Sequence, residues 1–305
     1  REHHNRLCRR GRFLCRACPI RRRLSCSRPN FQNLPSGKKF PVRKSIVSRF
    51  DGGVIMEADF SGLEFRVAGE LSRDTQIISD VLNGKDVHKQ TASIINECSV
   101  EAITSDLRQG AKAYTFAPLY GGQGANEPEH IQNYFKEFFV IYSGLAVYHK
   151  TLFAGVLKDG IVRIPSGREY VFRNIKRYGN GRVSRGTEIV NYPVQGFATG
   201  DIVPLACVRA RRAFRALGLQ SKLILTVHDS IVADCHPDEL AIVAEVLTWA
   251  MRDIQGEMKE RWGYDPVLPL DIEIEAGPNW MQKQDYAVPV ETPSLTRMEG
   301  WKIAA

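Results

Sequence analysis

Alternation of hydrophobic and polar positions is clearest in a few short segments. Gly53-Val-Ile-Met-Glu-Ala-Asp59 has a period of two that places Glu57 and Asp59 on one face, so it reads as a strand ending at Asp59. Lys222-Leu-Ile-Leu-Thr-Val227 and Ile231-Val-Ala-Asp-Cys235 flank His228-Asp229-Ser230, the pattern of a hairpin with Asp229 in its turn. Gly160-Ile-Val-Arg-Ile-Pro-Ser-Gly167 followed by Arg168-Glu-Tyr-Val-Phe172 predicts a second hairpin, and a further strand is expected near Leu268 to Glu275. Helical spacing dominates elsewhere. Ser61-Gly-Leu-Glu64 has the form of a capping box, starting a helix that turns Leu63, Val67 and Leu71 inward. Residues 75 to about 150 read as mainly helical with a break at Gly121-Gly122-Gln123-Gly124, and residues 191 to 217 as helical again. One helix is expected from about Pro237 to Trp262. The sum is an α+β chain whose antiparallel sheet is interrupted by a large helical insertion.

Composition narrows the class. Of 305 residues 43% are hydrophobic and 25% charged, which suffices for a sizeable core. No stretch approaches the roughly 20 apolar residues of a membrane-spanning helix, and the Arg-rich start lacks the apolar region of a secretory signal. No membrane partner is therefore expected. The formal charge of +8 lies wholly in residues 1–23, which hold nine Arg against Glu2; the other residues balance at 33 basic and 33 acidic. A high isoelectric point would normally suggest a polyanionic partner, but here it describes one short segment. Four of seven cysteines (Cys8, Cys15, Cys18, Cys26) crowd the same region. Their odd total fits a reducing, cytoplasmic compartment better than a disulfide framework. Cys15-Arg-Ala-Cys18 has the spacing of half a zinc site, yet no second well-spaced pair completes it.

Two constellations carry candidate chemistry. Asp59 closes a strand and Asp229 sits in a turn between apolar strands. If those strands are neighbours, two hard oxygen donors converge where Mg²⁺ could bind, although ending strands and making turns are common tasks for Asp. Arg108, Lys112, Phe116 and Tyr120 recur every fourth residue before Gly121. On a helix they form one stripe, two cations that could grip a triphosphate followed by two aromatics that could stack on a base or sugar. The alternative is a solvated basic turn followed by core aromatics.

These segments together resemble the palm and fingers of a family A DNA polymerase. Asp59-Phe-Ser-Gly-Leu-Glu-Phe-Arg66 is similar to motif A, Arg108-x3-Lys112-x3-Phe116-x3-Tyr120-Gly121 to motif B, and Val227-His228-Asp229 to motif C. Arg23-Leu-Ser-Cys-Ser-Arg-Pro-Asn30-Phe-Gln32-Asn33-Leu-Pro35 resembles the segment that tracks the primer–template minor groove. Asp86-Val-His88-x-x-Thr91-Ala92 resembles the phosphate-side histidine block, Asn191-Tyr-Pro-Val-Gln195-Gly196 a template-contacting helix start, and Gly277-Pro278-Asn279-Trp280 the end of the palm. The likeness covers about residues 23 to 285, with all seven blocks in the family's order.

The resemblance implies a right-hand polymerase fold without thumb or exonuclease domain. It divides the chain into an unassigned basic segment (1–22), palm (23–74), fingers (75–190), palm again (191–285) and a tail (286–305). It implies template-directed DNA synthesis on primer–template DNA with deoxynucleoside triphosphates as substrates. Asp59 and Asp229, with the Phe60 carbonyl, would hold two Mg²⁺ ions. Arg108, Lys112 and His88 would bind the triphosphate, Lys112 also giving a proton to the leaving pyrophosphate. Phe116 would stack on the sugar and base, Tyr120 would hold the template side of the pocket, and Glu64 would fill the space of a ribose 2′-hydroxyl. Arg23, Asn30, Gln32, Asn191, Gln195 and His228 would contact the duplex, largely without reading sequence. Phe116, where Tyr is the alternative, implies discrimination against nucleotides lacking a 3′-hydroxyl.

Four departures stand out. Ser230 replaces the Glu that usually follows motif C, a variant that resembles viral members. Gly62 replaces a common Gln, and Pro118 inside motif B predicts a kink or early helix end, since an interior Pro costs about 3 kcal/mol. Arg21-Arg22 stands where Thr-Gly is expected, with no thumb before it, so a thumb or exonuclease would belong to the same original chain or a separate one. Two rivals follow. An inactive, DNA-binding-only fragment is favoured by the missing thumb and opposed by the complete set of site residues. A single-subunit RNA polymerase is opposed by Glu64 and the Asn191–Gly196 block. No residue pattern identifies a replisome or processivity partner.

Overall fold

The computed structural model describes residues 15–17, 24–26, 34–35 and 40–288. In chain order its strands are β1 (Cys15–Ala17), β2 (Leu24–Cys26), β3 (Val54–Phe60), β4 (Ile161–Arg163), β5 (Glu169–Val171), β6 (Lys222–Val227), β7 (Ser230–Cys235), β8 (Ile272–Gly277) and β9 (Gln284–Asp285). Its α-helices are α1 (Leu63–Ser72), α2 (Thr75–Leu82), α3 (Val87–Ile95), α4 (Ser105–Leu119), α5 (Glu129–Ile141), α6 (Ser143–Asp159), α7 (Gly186–Phe197), α8 (Val203–Ala216), α9 (Leu240–Arg252) and α10 (Gln255–Trp262). Among the described residues no single helix is long and apolar enough to cross a membrane. Arg23, Asn30, Gln32 and the tail beyond residue 288 lie outside the description.

Two compact units result. One gathers the described residues up to Ser61, Ala198–Glu257 and those from Leu270 onward. Its centre is an antiparallel sheet in the order β6-β7-β3-β8-β9. The two faces of β3 differ. Met56, Ala58 and Phe60 are buried, while Glu57 is half-buried and Asp59 exposed. Helix α9 packs on β3 and β8 and against α8. Ile55, on the carboxylate face, joins Val227, Val232 and Trp280 in a core cluster. Burial of each such side chain contributes about 1.5–3 kcal/mol, so this face is sealed at the Ile55 end and open at Asp59. A one-residue slip of β3 would carry both carboxylates into the opposite, buried face.

The other unit comprises Gly62–Phe197 and Met258–Pro269. Buried carboxylates organise its helices. Asp74 caps α2 by accepting from the Gln76 and Ile77 amides, and its second oxygen accepts from the Leu145 amide of α6. Asp80 accepts from Gln76, Lys85 and the Tyr142 hydroxyl. Glu70 takes the Tyr264 hydroxyl at 2.9 Å and the Leu268 amide at 2.5 Å. Satisfied in this way, buried acids tie elements together at a cost below that of an unpaired charge.

The structure corrects three expectations from the sequence. Helix α1 begins at Leu63 with Gly62, in the left-handed region at φ 62°, as its N-cap. The Ser61 amide, which a capping box would direct to Glu64, instead donates to the Asp271 carbonyl. The helix expected over 237–262 is two helices, broken between Arg252 and Gln255. Buried Arg209 accounts for the break: it donates to the Asp253 carbonyl, pairs with Glu257 and lies over Trp249. The strand expected near Leu268 starts at Ile272, because the Leu268 amide is taken by Glu70.

Candidate active site

In the sheet-bearing unit, β3 runs antiparallel between β7 and β8 with Asp59 opposite Ser230 on one side and Glu273 on the other. Residues directly opposite share a face, so Ser230, Asp59 and Glu273 form one row across three strands. Val232, Glu57 and Glu275 form the next row inward. Asp229 precedes Ser230 in the two-residue turn His228-Asp229, where His228 adopts φ 55°. The Asp229 carbonyl accepts from the Phe60 amide at 3.4 Å. The two aspartates are thus brought to the same end of neighbouring strands.

The charges around them are unequal. Desolvation by the surrounding protein, then repulsion from Asp229, Glu57 and Glu273, push the Asp59 carboxyl up to about 7, with Lys283 pulling the other way. Asp59 still meets solvent, so the crowding of negative charge is the part that a bound cation would relieve. Glu57 behaves oppositely. Burial would raise its carboxyl, but hydrogen bonds from Lys283, Ser230 and Trp280 and the Lys283 charge outweigh that and hold it low. Lys283, which also pairs with Glu275 at 2.6 Å, therefore offsets part of the charge of the inner row, while the outer row draws less relief from it. Hard oxygens with surplus negative charge suit a small divalent cation. Among the described residues no group of three or more His, Cys, Asp or Glu is arranged as a metal site.

The sequence reading missed Glu273, Glu275 and Lys283, and it left Glu57 without a role. The alternation Glu273-Ile-Glu275 could have placed both acids on one face. Lys283 comes from beyond the strand that ends at Gly277, and nothing local marks it.

The helical unit carries the second set. Motif B residues lie on α4, which ends immediately after Pro118 with Tyr120 as its C-cap, so the early end that Pro118 predicts is what occurs. Gly121 follows at φ 79°, a conformation that glycine adopts at no steric cost. Phe116 and Tyr120 stack with ring centroids 6.1 Å apart, and His88 lies 5.1 Å from Phe116. The Tyr120 hydroxyl donates to the Glu64 carboxylate. Asp86 caps α3 by accepting from the Lys89 amide, and its other oxygen accepts from the Arg108 Nε at 2.6 Å. Burial, then the charges of Arg108 and Lys112, lower His88 to about 4 despite Asp86, so its imidazole is neutral at pH 7. Asn191 and Gln195 are four residues apart on α7 and share one side of that helix.

Comparison with known proteins gives one consistent result. The sequence model for DNA polymerase family A matches residues 17–282. DNA polymerase I of Chloroflexus aurantiacus is 29% identical over 87% of this chain and 28% of its own length. DNA polymerase I of Pseudomonas aeruginosa is 30% identical over 85% and 28%, and the thermostable DNA polymerase I of Thermus thermophilus 29% over 86% and 31%. The chain thus spans about a third or less of these relatives. Among solved structures, the POL domain of Pol1 from M. smegmatis, in complex with DNA primer-template and dNTP, superposes with a TM-score of 0.70 at 25% identity. That match covers 85% of this chain and 46% of the other. With the family's sequence model spanning most of its length and the fold agreeing, the chain belongs to DNA polymerase family A.

Proposed function

We propose that this chain carries the palm and fingers of an enzyme that extends a DNA primer on a template, releasing pyrophosphate. The observation that carries this reading is the convergence of Asp59 and Asp229 at one end of adjacent antiparallel strands, near enough for the charge of Asp229 to raise the Asp59 carboxyl.

Asp59, Asp229 and the Phe60 carbonyl would hold two Mg²⁺ ions. Bound there, the ions would acidify the primer 3′-hydroxyl and neutralise charge on the transferred phosphoryl group. The 3′ oxygen bonds to the α-phosphorus, the bond to the β-phosphate oxygen breaks, and the hydroxyl proton leaves to solvent. Lys112, which has no ion-pair partner among the described residues, supplies the proton that the departing pyrophosphate takes up. Arg108, its Nε fixed by Asp86, presents the rest of its fork to the triphosphate. His88, held neutral, serves there through hydrogen bonding and not as a fixed cation. Phe116 stacks on the incoming sugar and base. Glu64, held by the Tyr120 hydroxyl, excludes a ribose 2′-hydroxyl. Asn191, Gln195 and His228, with Arg23, Asn30 and Gln32, contact the duplex.

The test is extension of a recessed, labelled DNA primer with Mg²⁺ and deoxynucleotides, run beside Asp59→Ala and Asp229→Ala. Extension by the parent and its loss in both variants is expected. Primer–template binding without extension by the parent would favour a binding-only protein instead. Extension that survives either substitution would remove the carboxylates from the mechanism.

A further inference from the structure

Glu57 has both carboxylate oxygens committed. Oε1 accepts from the Ser230 hydroxyl at 2.6 Å; Oε2 accepts from the Trp280 indole nitrogen at 2.9 Å and from the Lys283 ammonium. Trp280 is 1% exposed and Ser230 3%, so the first two contacts are shielded from water. The Ser230 hydroxyl also lies 3.1 Å from the Val227 carbonyl, across the turn that bears Asp229. That turn spans two residues; Ser230 at its end pairs with Asp59 in the sheet, and a backbone tie at the tip is the Phe60–Asp229 hydrogen bond of 3.4 Å. One side chain of β3 therefore grips the first residue after Asp229, while Lys283 and Trp280 fix that side chain from behind.

We propose that Glu57 is a positioning residue, which acts through Ser230 to hold the Asp229 turn in register with Asp59 so that the two carboxylates can share cations. Glu57 does not itself bind them, because both of its oxygens are occupied, one of them by Lys283. This inference rests on the reading of Asp59 and Asp229 as cation holders. It assigns a task to the position at which the chain has Ser230, and it makes a hydroxyl, not an acid, the requirement there. A hydrogen bond to a charged acceptor is among the stronger kinds, and its loss in a shielded place leaves the acceptor short of a partner.

The test compares Ser230→Ala, Ser230→Thr and Glu57→Gln with the parent. Mn²⁺ binding is followed by electron paramagnetic resonance, the Mg²⁺ requirement by primer extension, and folding by thermal melting, with Asp59→Ala as the binding control. Ser230→Ala should weaken Mn²⁺ binding roughly tenfold and raise the half-maximal Mg²⁺ concentration to match, with the deoxynucleotide KM changed less than about twofold. Ser230→Thr, which keeps the hydroxyl, should restore both, and Glu57→Gln should resemble Ser230→Ala. Equal impairment by Ala and Thr, or a lowered melting temperature with unchanged Mn²⁺ binding, would overturn the inference and leave Glu57 a structural staple. A parent that binds Mn²⁺ through Asp59 but extends no primer would sink the proposed activity and not this inference. A parent that binds no Mn²⁺ would sink the inference.

Discussion

At the scale of single residues, Asp59 and Phe116 carry the most exposed expectations. On the proposed function a proton and a divalent cation would compete for Asp59, whose carboxyl is raised to about 7. Lowering the pH from 8 to 6 fills that proton site, so the Mg²⁺ concentration for half-maximal extension should rise across this window. An Mg²⁺ requirement that is flat from pH 8 to 6 would show that the crowded carboxylates do not set it. Phe116 presents a hydrocarbon edge beside His88 and Tyr120. Phe116→Tyr should raise the use of dideoxynucleotides relative to deoxynucleotides by at least tenfold, read from chain-termination frequency. The placement of these residues was legible because their spacing follows strand and helix periods, whereas the roles proposed for them come from the resemblance to the family. Glu57 and Lys283 were not, because their meaning comes from a contact across 226 residues of sequence.

At the scale of elements, the strands and the turn at Asp229 follow from local alternation, whereas the helix boundaries do not. The start of α1 was misread because Ser61-x-x-Glu64 fits a capping box, yet tertiary partners claim both of its ends: Asp271 takes the Ser61 amide and Tyr120 bonds Glu64. The α9–α10 break likewise depends on Arg209, which lies far away in sequence. Gly196 shows the same lesson in reverse. The sequence marks it as part of a family block, and the structure supplies the reason, since an added Cβ would lie 1.5 Å from the hydroxyl of buried Tyr170. Gly196→Ala should therefore destabilise the helical unit by about 1–3 kcal/mol through overpacking. The shift in urea midpoint would show it, and an unchanged midpoint would mean that α7 and the β4–β5 hairpin can part without cost.

At the scale of the molecule, two histidines contribute to the response to acid, while the raised carboxyl of Asp59 acts in the opposite sense. His88 and His149 are both lowered to about 4, chiefly by burial. His149 is 6% exposed. Each takes a proton more readily once unfolded, where its ordinary value is 6.5. Their contribution to stability is therefore complete above pH 6.5 and is lost as the pH falls toward 4. Urea unfolding measured across that window should show the midpoint decline, and His149→Phe should make the decline shallower. The net charge says little at this scale: it sits in residues 1–23, while the body of the chain is electrically balanced and its polarity is organised locally. The surplus negative charge at Asp59 is set within its own unit.

The indole of Trp280 has a consequence of another kind. It is sealed from water and donates its hydrogen bond to Glu57, one row behind Asp59. Indole emission responds to nearby charge, so this tryptophan is a built-in optical gauge of the carboxylate row. The difference in fluorescence between the parent and Trp280→Phe isolates its signal from the other three tryptophans. Titrating Mg²⁺ into both should then report cation arrival at Asp59 in an otherwise unlabelled protein, before any primer is added.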